Sequence, residues 1–135
     1  MSECPEQWKL DVNDRYQAAV GVVSSLAAAS LVLPIFFLKD VVTGDPGKSI
    51  SDSLSWLVIV GWLLLAVSIL SAIVYHYSSA KWVKLAWNRE ADMFGRPVSA
   101  NQVEMALDVG YFLMMLGFLG GILCMLIFMA TFSLP

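Results

Sequence analysis

Three long, uncharged apolar segments dominate the chain and alternate with shorter charged ones. They cover residues 18–38, 54–77 and 109–132. A helix rises about 1.5 Å per residue, so each segment would reach at least the roughly 30 Å thickness of a hydrocarbon core. The pattern predicts an all-α integral membrane protein with three transmembrane helices, in which residues 1–135 form a single membrane domain.

The segment before the first span, residues 1–17, carries charges but also a regular apolar face. Trp8, Val12, Tyr16 and Val20 recur at a spacing of four, which places them on one side of a helix. We therefore expect an amphipathic leader helix, cytosolic or interfacial, that runs directly into the first span. Residues 39–53 are polar and rich in turn-forming types, which predicts an extracytosolic loop.

The second apolar segment passes into a charged stretch that has no helix breaker before Gly95. One helix is therefore expected over 54–96. Ser99 and Gln102 have the spacing of a capping box, which predicts the start of the third helix. Residues 78–108 would then form a helical hairpin that continues the second and third helices into the cytosol.

A tight turn at 95–97 would also fix which residues of the two helices face each other. Their numbers would sum to about 190, which places Lys81 opposite Asp108 and Lys84 opposite Glu104. Both pairs have opposite charges. We therefore expect two ion pairs that report the register fixed by the turn, each contributing only about 0 to 1 kcal/mol because it is exposed.

Basic residues are divided unevenly between the two sides that three spans would define. The leader and the hairpin carry Lys9, Arg15, Lys81, Lys84, Arg89 and Arg96, whereas the loop carries only Lys39 and Lys48. The positive-inside rule therefore places the N-terminus and the hairpin in the cytosol and the C-terminus outside. The expected location is the cytoplasmic, or inner, membrane.

The composition supports a membrane protein and argues against one class of partner. Charged residues make up 14% of the chain, whereas they make up about a quarter of an average soluble domain. The formal net charge is −3, and the sequence provides no basic face to neutralise phosphates. The lipid bilayer and other protein surfaces are thus the expected partners, and nucleic acid is not.

The polar residues of the predicted spans do not suggest an enzyme. The three spans contain no Asp or Glu, and His76, the single histidine, lies at the end of the second span. Acid–base catalysis and hydrolytic metal sites need several such groups together. We expect no catalytic residue, metal or cofactor. His76 is interpreted as an interface residue, with a pH-sensitive role as the alternative.

Small residues form two groups within the spans. Gly117, Gly120 and Gly121 in the third span and Ala28 in the first are candidates for close helix packing and for self-association, with packing within one chain as the alternative. Ser24, Ser25 and Ser30 give the first span a mildly polar face. If several copies assemble around a passage, these serines are the candidate pore lining.

Two functional hypotheses remain for a small protein with this pattern. In the first, which the sequence leads us to favour, an oligomer conducts ions or perturbs the membrane and is gated through the cytosolic hairpin. In the second, the chain conducts nothing and acts as an accessory, regulatory or immunity subunit of a larger membrane or cytosolic partner. Both assign contact with the partner or signal to residues 81–102 and their neighbours, with Lys81, Trp82, Lys84, Arg89, Glu104 and Asp108 as candidate residues.

Overall fold

Three long helices account for most of the described chain. The computed structural model describes the backbone of residues 7–43, 56–87 and 89–133, and the side chains of these ranges except 33–43 and 132–133. The helices are α1 (Gln7–Thr43), α2 (Trp56–Ala86) and α3 (Ala100–Ser133). Strands β1 (Asp92–Met93) and β2 (Arg96–Pro97) form an antiparallel hairpin between α2 and α3. The three-helix architecture is confirmed, and the β-hairpin is an addition to the expected all-α fold.

The leader and the first apolar segment form one continuous helix. α1 continues to Thr43, which extends it into the first residues of the segment expected to be a loop. Residues 39–43 contain no glycine or proline, so the sequence provides no stop signal there. The rest of that expected loop, 44–53, lies outside the described residues.

Two of the helices are long and apolar enough to cross a membrane. They are α2, over Trp56–Ala86, and α3, over Ala100–Thr131. Their uncharged parts correspond to the second and third apolar segments of the sequence. Membrane crossing by α1 stays a prediction.

Neighbouring helices alternate in direction. The Tyr16 ring contacts Tyr111, and Val20 packs in one cluster with Met114, so α1 and α3 run parallel. α2 runs antiparallel to both. The start of α1, the end of α2, the β-hairpin and the start of α3 therefore lie at the same end of the molecule, which we call the hairpin end.

α2 and α3 form the most extensive interface, and glycines allow their close approach. A Cβ atom added at Gly117 would lie 2.7 Å from the carbonyl oxygen of Leu64. One added at Gly121 would lie 2.7 Å from Cγ of Leu65. Real Cβ atoms do not approach other atoms so closely. The two helix backbones therefore sit at a separation that only glycine permits at these positions.

The expectation of a single helix over 54–96 is wrong beyond Ala86. The Arg89 N–H donates to the Lys84 carbonyl at 3.1 Å, the six-residue closure of a Schellman helix end. A helix can end in this way without glycine or proline, which is why the absence of both between Ala86 and Gly95 did not predict this end.

The connection between α2 and α3 contains a β-hairpin whose loop has two residues. Phe94 and Gly95 both have positive φ, 52° and 77°, as a type I′ turn requires. Asp92 pairs with Pro97 and Met93 with Arg96. The helical hairpin predicted over 78–108 is thus helical only up to Ala86 and again from Ala100.

The predicted start of the third helix is confirmed by its capping interaction. The Ser99 N–H donates to Oε1 of Gln102 at 3.2 Å, and α3 begins at the next residue, Ala100. The Gln102 side chain thus satisfies the Ser99 N–H, which is one half of a capping box, and the Gln102 N–H donates to the Ser99 carbonyl at 3.1 Å.

The register of the two helices differs from the one expected. Facing residues have numbers that sum to between 182, for Ser68 with Met114, and 186, for Tyr75 with Tyr111, and not to about 190. The helix ends explain the shift, because Ala86 and Ala100 also sum to 186. The turn itself lies at Phe94 and Gly95, and the strand pairs sum to 189, but five residues separate Ala86 from β1 and only two separate β2 from Ala100, which shifts the helices.

The expectation of two ion pairs in that register is also wrong. Among the described residues, neither Lys81 with Asp108 nor Lys84 with Glu104 forms an ion pair. Nζ of Lys81 instead lies 5.1 Å from the centroid of the Tyr77 ring. With the register shifted, the charges no longer stand opposite one another.

Candidate functional site: an aromatic groove at the hairpin end

A groove of about 400 Å³ opens between all three helices at the hairpin end. Each helix contributes to its walls, which are mostly apolar and aromatic. The lining residues are Lys9, Val12, Asn13 and Tyr16 of α1, Tyr75 and Trp82 of α2, and Leu107, Asp108, Tyr111 and Phe112 of α3. Five of these lining residues are aromatic.

The apolar face of the leader helix forms one wall of the groove. Val12 and Tyr16, four residues apart, line it, and Val20 lies fully buried beneath them. Trp8 continues the stripe beyond the groove and is exposed. The periodicity of the leader therefore predicted this wall, although not its partners on α2 and α3.

Three tyrosines pack against each other at the base of the groove. The Tyr16 and Tyr111 rings are perpendicular with centroids 5.4 Å apart, and the Tyr75 and Tyr111 centroids are 6.1 Å apart. Edge-to-face geometry of this kind is favourable because it brings a ring edge against the electron-rich face of the next ring. Tyr75 is only 4% exposed, so it forms the floor and the other two form the sides.

A buried hydrogen-bond relay holds α1 against α2 beside the tyrosines. The Gln17 amide nitrogen donates to Oγ of Ser79 at 2.7 Å, and the Ser79 hydroxyl donates to Oδ1 of Asn13 at 2.8 Å. Ser79 is fully buried and Asn13 is 9% exposed. Polar groups at such positions need partners, and this relay supplies them. Sequence reasoning missed it, although two amide side chains four residues apart on the leader helix were a usable signal.

The relay does not include the hydroxyl of the neighbouring residue, Ser78. Oγ of Ser78 is buried and has no hydrogen-bond partner among the described residues. Ser78 and Ser79 thus differ sharply although they are neighbours, since one hydroxyl joins two helices and the other joins none. This difference provides a matched pair of positions for mutagenesis.

The groove carries one charge of each sign. Lys9 on α1 and Asp108 on α3 both line it and both are exposed. Nζ of Lys9 also lies 5.5 Å from the centroid of the Trp8 ring. Within the described residues, no group of three or more His, Cys, Asp or Glu is placed to hold a metal ion. Aromatic walls with one basic and one acidic residue suit the binding of an amphipathic polypeptide segment.

The residues predicted to contact a partner divide between two places. Trp82 and Asp108 line the aromatic groove, and the Trp82 indole N–H makes a long hydrogen bond of 3.5 Å to Oε1 of Glu104. Arg89 lines a separate, more polar groove of about 420 Å³ beside the β-hairpin. Lys81 lies over Tyr77, and Lys84 is exposed.

The residues predicted for helix packing lie in two different environments. Gly117, Gly120 and Gly121 lie beside Leu64 or Leu65 of α2 in the same chain, where Gly117 and Gly121 are buried and Gly120 is half-buried. Ala28 lies on the exposed face of α1.

The candidate pore-lining serines form hydrogen bonds within their own helix. The Ser24 and Ser25 hydroxyls donate to the Gly21 carbonyl at 3.1 and 2.8 Å, and the Ser30 hydroxyl donates to the Leu26 carbonyl at 2.8 Å. A helix can carry such hydroxyls in lipid at little cost because the backbone satisfies them. Their presence on α1 therefore does not require a water-filled passage.

His76 is exposed on α2 and lies at the edge of the tyrosine cluster. Its ring centroid is 6.3 Å from that of Tyr75. It is not among the residues that line the aromatic groove.

No protein-family model, curated protein or solved structure matches this chain. A functional assignment must therefore come from the residues and their geometry.

Proposed function

We propose that this chain is a three-span integral membrane protein that acts as a non-catalytic accessory or regulatory subunit. Its partner would be a larger membrane or cytosolic protein, of which one segment is held in the aromatic groove. The observation that carries the proposal is the groove itself, since three helices converge there and leave aromatic walls open.

Exposed leucines support placement in a bilayer. Leu63 and Leu70 on α2 and Leu119 and Leu123 on α3 are each about 60% exposed, with values of 62, 62, 60 and 58%. Monomeric soluble proteins rarely expose apolar patches of this extent. In a bilayer the same side chains contact lipid, and α1 would cross beside α2 and α3. The distribution of basic residues then puts the hairpin end in the cytosol.

The interior of the bundle supports a subunit more than a pore. Leu65, Ala72 and Met114 fill the described interior and are each at most 1% exposed. A passage for ions would have to form between copies. The groove, in contrast, is complete within one chain.

Blocking the groove tests the accessory function directly. Val12→Trp would fill it with an indole, whereas Val22→Trp adds the same side chain to the exposed outer face of α1. A partner protein that co-purifies with the unmodified chain from native membranes should be lost with Val12→Trp and retained with Val22→Trp. Equal retention by both variants would contradict a role for the groove.

The conducting hypothesis stays as a second candidate because of the outer face of α1. Ser25, Ala28 and Ala29 are exposed there, and small residues at a spacing of three to four favour contact between helices of separate copies. Self-association would then use α1 and not the glycines of α3. We would measure ion flux from liposomes that contain the purified protein. Flux that Ala28→Leu abolishes would favour this candidate, and a lack of flux at every protein density would eliminate it.

A further inference from the structure

We infer that Phe94, at the tip of the β-hairpin, is an interfacial anchor that inserts into the lipid headgroup region of the leaflet from which α2 emerges. The occupant of this surface is thus the bilayer itself and not a protein. This inference rests on the proposed crossing of the membrane by α2 and α3.

The hairpin folds back along α2 toward the membrane. The centroid of the Phe94 ring lies 5.5 Å from that of Tyr77. Tyr77 precedes the end of α2 at Ala86 by nine residues, which corresponds to roughly 13 Å along the helix axis. Side chains on a helix lean toward its N-terminus, so the Tyr77 ring lies farther still from the helix end. Phe94 therefore stands beside the last residue of the predicted second span.

The lipid-facing side of α2 continues into this aromatic pair. Leu70, Ile73 and Tyr77 are exposed and fall on one face of the helix, at spacings of three and four. Phe94 extends that face and is 86% exposed. Aromatic side chains are enriched where a membrane meets water. A ring at this height, beside an exposed apolar stripe, is placed to enter the same lipid layer.

The backbone conformation at Phe94 indicates that the turn itself does not favour phenylalanine at this position. Its φ of 52° lies in the left-handed region, where asparagine or glycine is favoured at this turn position and a bulky residue is an outlier. Within the described chain the ring gains little burial in return. A residue kept in an unfavourable backbone conformation with its side chain exposed points to a contact outside the chain.

Charges beside the tip suit the headgroup region. Nζ of Lys81 lies 5.1 Å from the Tyr77 ring centroid, and Arg96 directly follows the turn. Both can pair with lipid phosphates. The acidic residue of the strands, Asp92, lies farther from the tip, because it belongs to the second strand pair from the turn.

The depth of a spin label at the tip tests the inference. The native Cys4 and Cys124 would be replaced by Ser and Ala, and single cysteines introduced by Met93→Cys, Leu70→Cys or Glu90→Cys would carry a nitroxide while Phe94 is kept. In vesicles of phosphatidylcholine and phosphatidylglycerol, accessibility to oxygen relative to a water-soluble nickel chelate reports depth. We expect hydrocarbon depth at position 70, the headgroup boundary at 93 and water at 90.

The outcomes separate this inference from the proposed membrane crossing. A label at 93 that is as accessible to nickel as the one at 90, with position 70 still in hydrocarbon, overturns the anchor alone. A label in water at position 70 overturns the membrane crossing itself.

A second measurement separates anchoring by the ring from simple proximity to the membrane. Phe94→Asn keeps a residue that the turn favours but removes the ring. A label at Met93→Cys should then become several-fold more accessible to nickel than in the chain with Phe94. Equal accessibility in the two backgrounds would show that the ring does not hold the hairpin at the membrane.

Discussion

α2 packs on α3 through glycines that bring backbone against backbone, whereas α1 packs on both through tyrosine rings and side-chain amides. The first interface is closed at Gly117 and Gly121, where there is no space for one more carbon atom. The second is less extensive and leaves a groove of about 400 Å³ between the helices. Side-chain contacts can rearrange at modest cost, but a backbone contact cannot. We therefore expect α2 and α3 to form the rigid part of the molecule and α1 to be the helix that adjusts if a partner segment fills the groove.

The largest effect should come from enlarging a glycine of the rigid interface. Gly117→Ala puts a Cβ 2.7 Å from a backbone oxygen that cannot move aside, so we expect destabilisation of about 3 kcal/mol, the upper end for overpacking. Reversible unfolding in mixed micelles, followed by circular dichroism, measures it. Gly21→Ala on α1 is the control, because nothing lies within 4 Å of its added Cβ. It should be neutral or stabilise the helix by up to about 1 kcal/mol. Equal effects of the two substitutions would remove the distinction between the interfaces.

The hydrogen-bond relay should produce the next largest effect. Ser79→Ala leaves the Asn13 and Gln17 amides without their shared partner, which should cost about 1 to 2 kcal/mol. Ser78→Ala removes a buried hydroxyl that has no partner in the described chain, so its effect should be within about 0.5 kcal/mol of zero. The same unfolding measurement compares them. If Ser78→Ala were as destabilising as Ser79→Ala, the relay would not be what fixes α1.

The contrast between neighbouring serines shows why the sequence predicted the helices better than their contacts. Apolar segments of adequate length predict helices whatever lies beside them, and all three were found. Whether Ser78 or Ser79 faces α1 depends on the rotation of α2 about its axis. Periodicity did not fix that rotation, because α2 is apolar on all sides and has no polar face to orient it. For the same reason the sequence left open whether Gly117 contacts its own chain or a second copy.

The groove was predictable in part, and the missing part has a physical cause. The spacing of Val12 and Tyr16 on the leader identified one wall. The other walls depend on the register of α2 against α3, which in turn depends on where α2 ends. A helix end closed by a Schellman hydrogen bond after Ala86 shifts every facing pair relative to a turn at 95–97. An error in one capping residue thus changes the predicted partners of a whole helix.

The tyrosine contact between α1 and α3 should contribute less than the relay. Replacing Tyr16 and Tyr111 by Leu, singly and together, gives a double-mutant cycle, and we expect a coupling of about 0.5 to 1.5 kcal/mol for a perpendicular ring pair. Coupling between Tyr16 and Phe112 should be smaller, although Phe112 also lines the groove. If the first coupling were near zero, α1 would be held by the relay alone.

The smallest expected effect distinguishes the two registers of α2 and α3. In the expected register Lys84 and Glu104 would form an exposed ion pair, and a double-mutant cycle with alanine would give a coupling of about 0.3 to 1 kcal/mol that falls as salt is added. In the observed register Glu104 instead accepts a long hydrogen bond from Trp82. Coupling should therefore be absent between Lys84 and Glu104 at low salt, and a small value should be found between Trp82 and Glu104. A salt-sensitive coupling at Lys84 would mean that the numbers of facing residues on α2 and α3 sum to about 190, and the walls of the aromatic groove on these two helices would then face different partners.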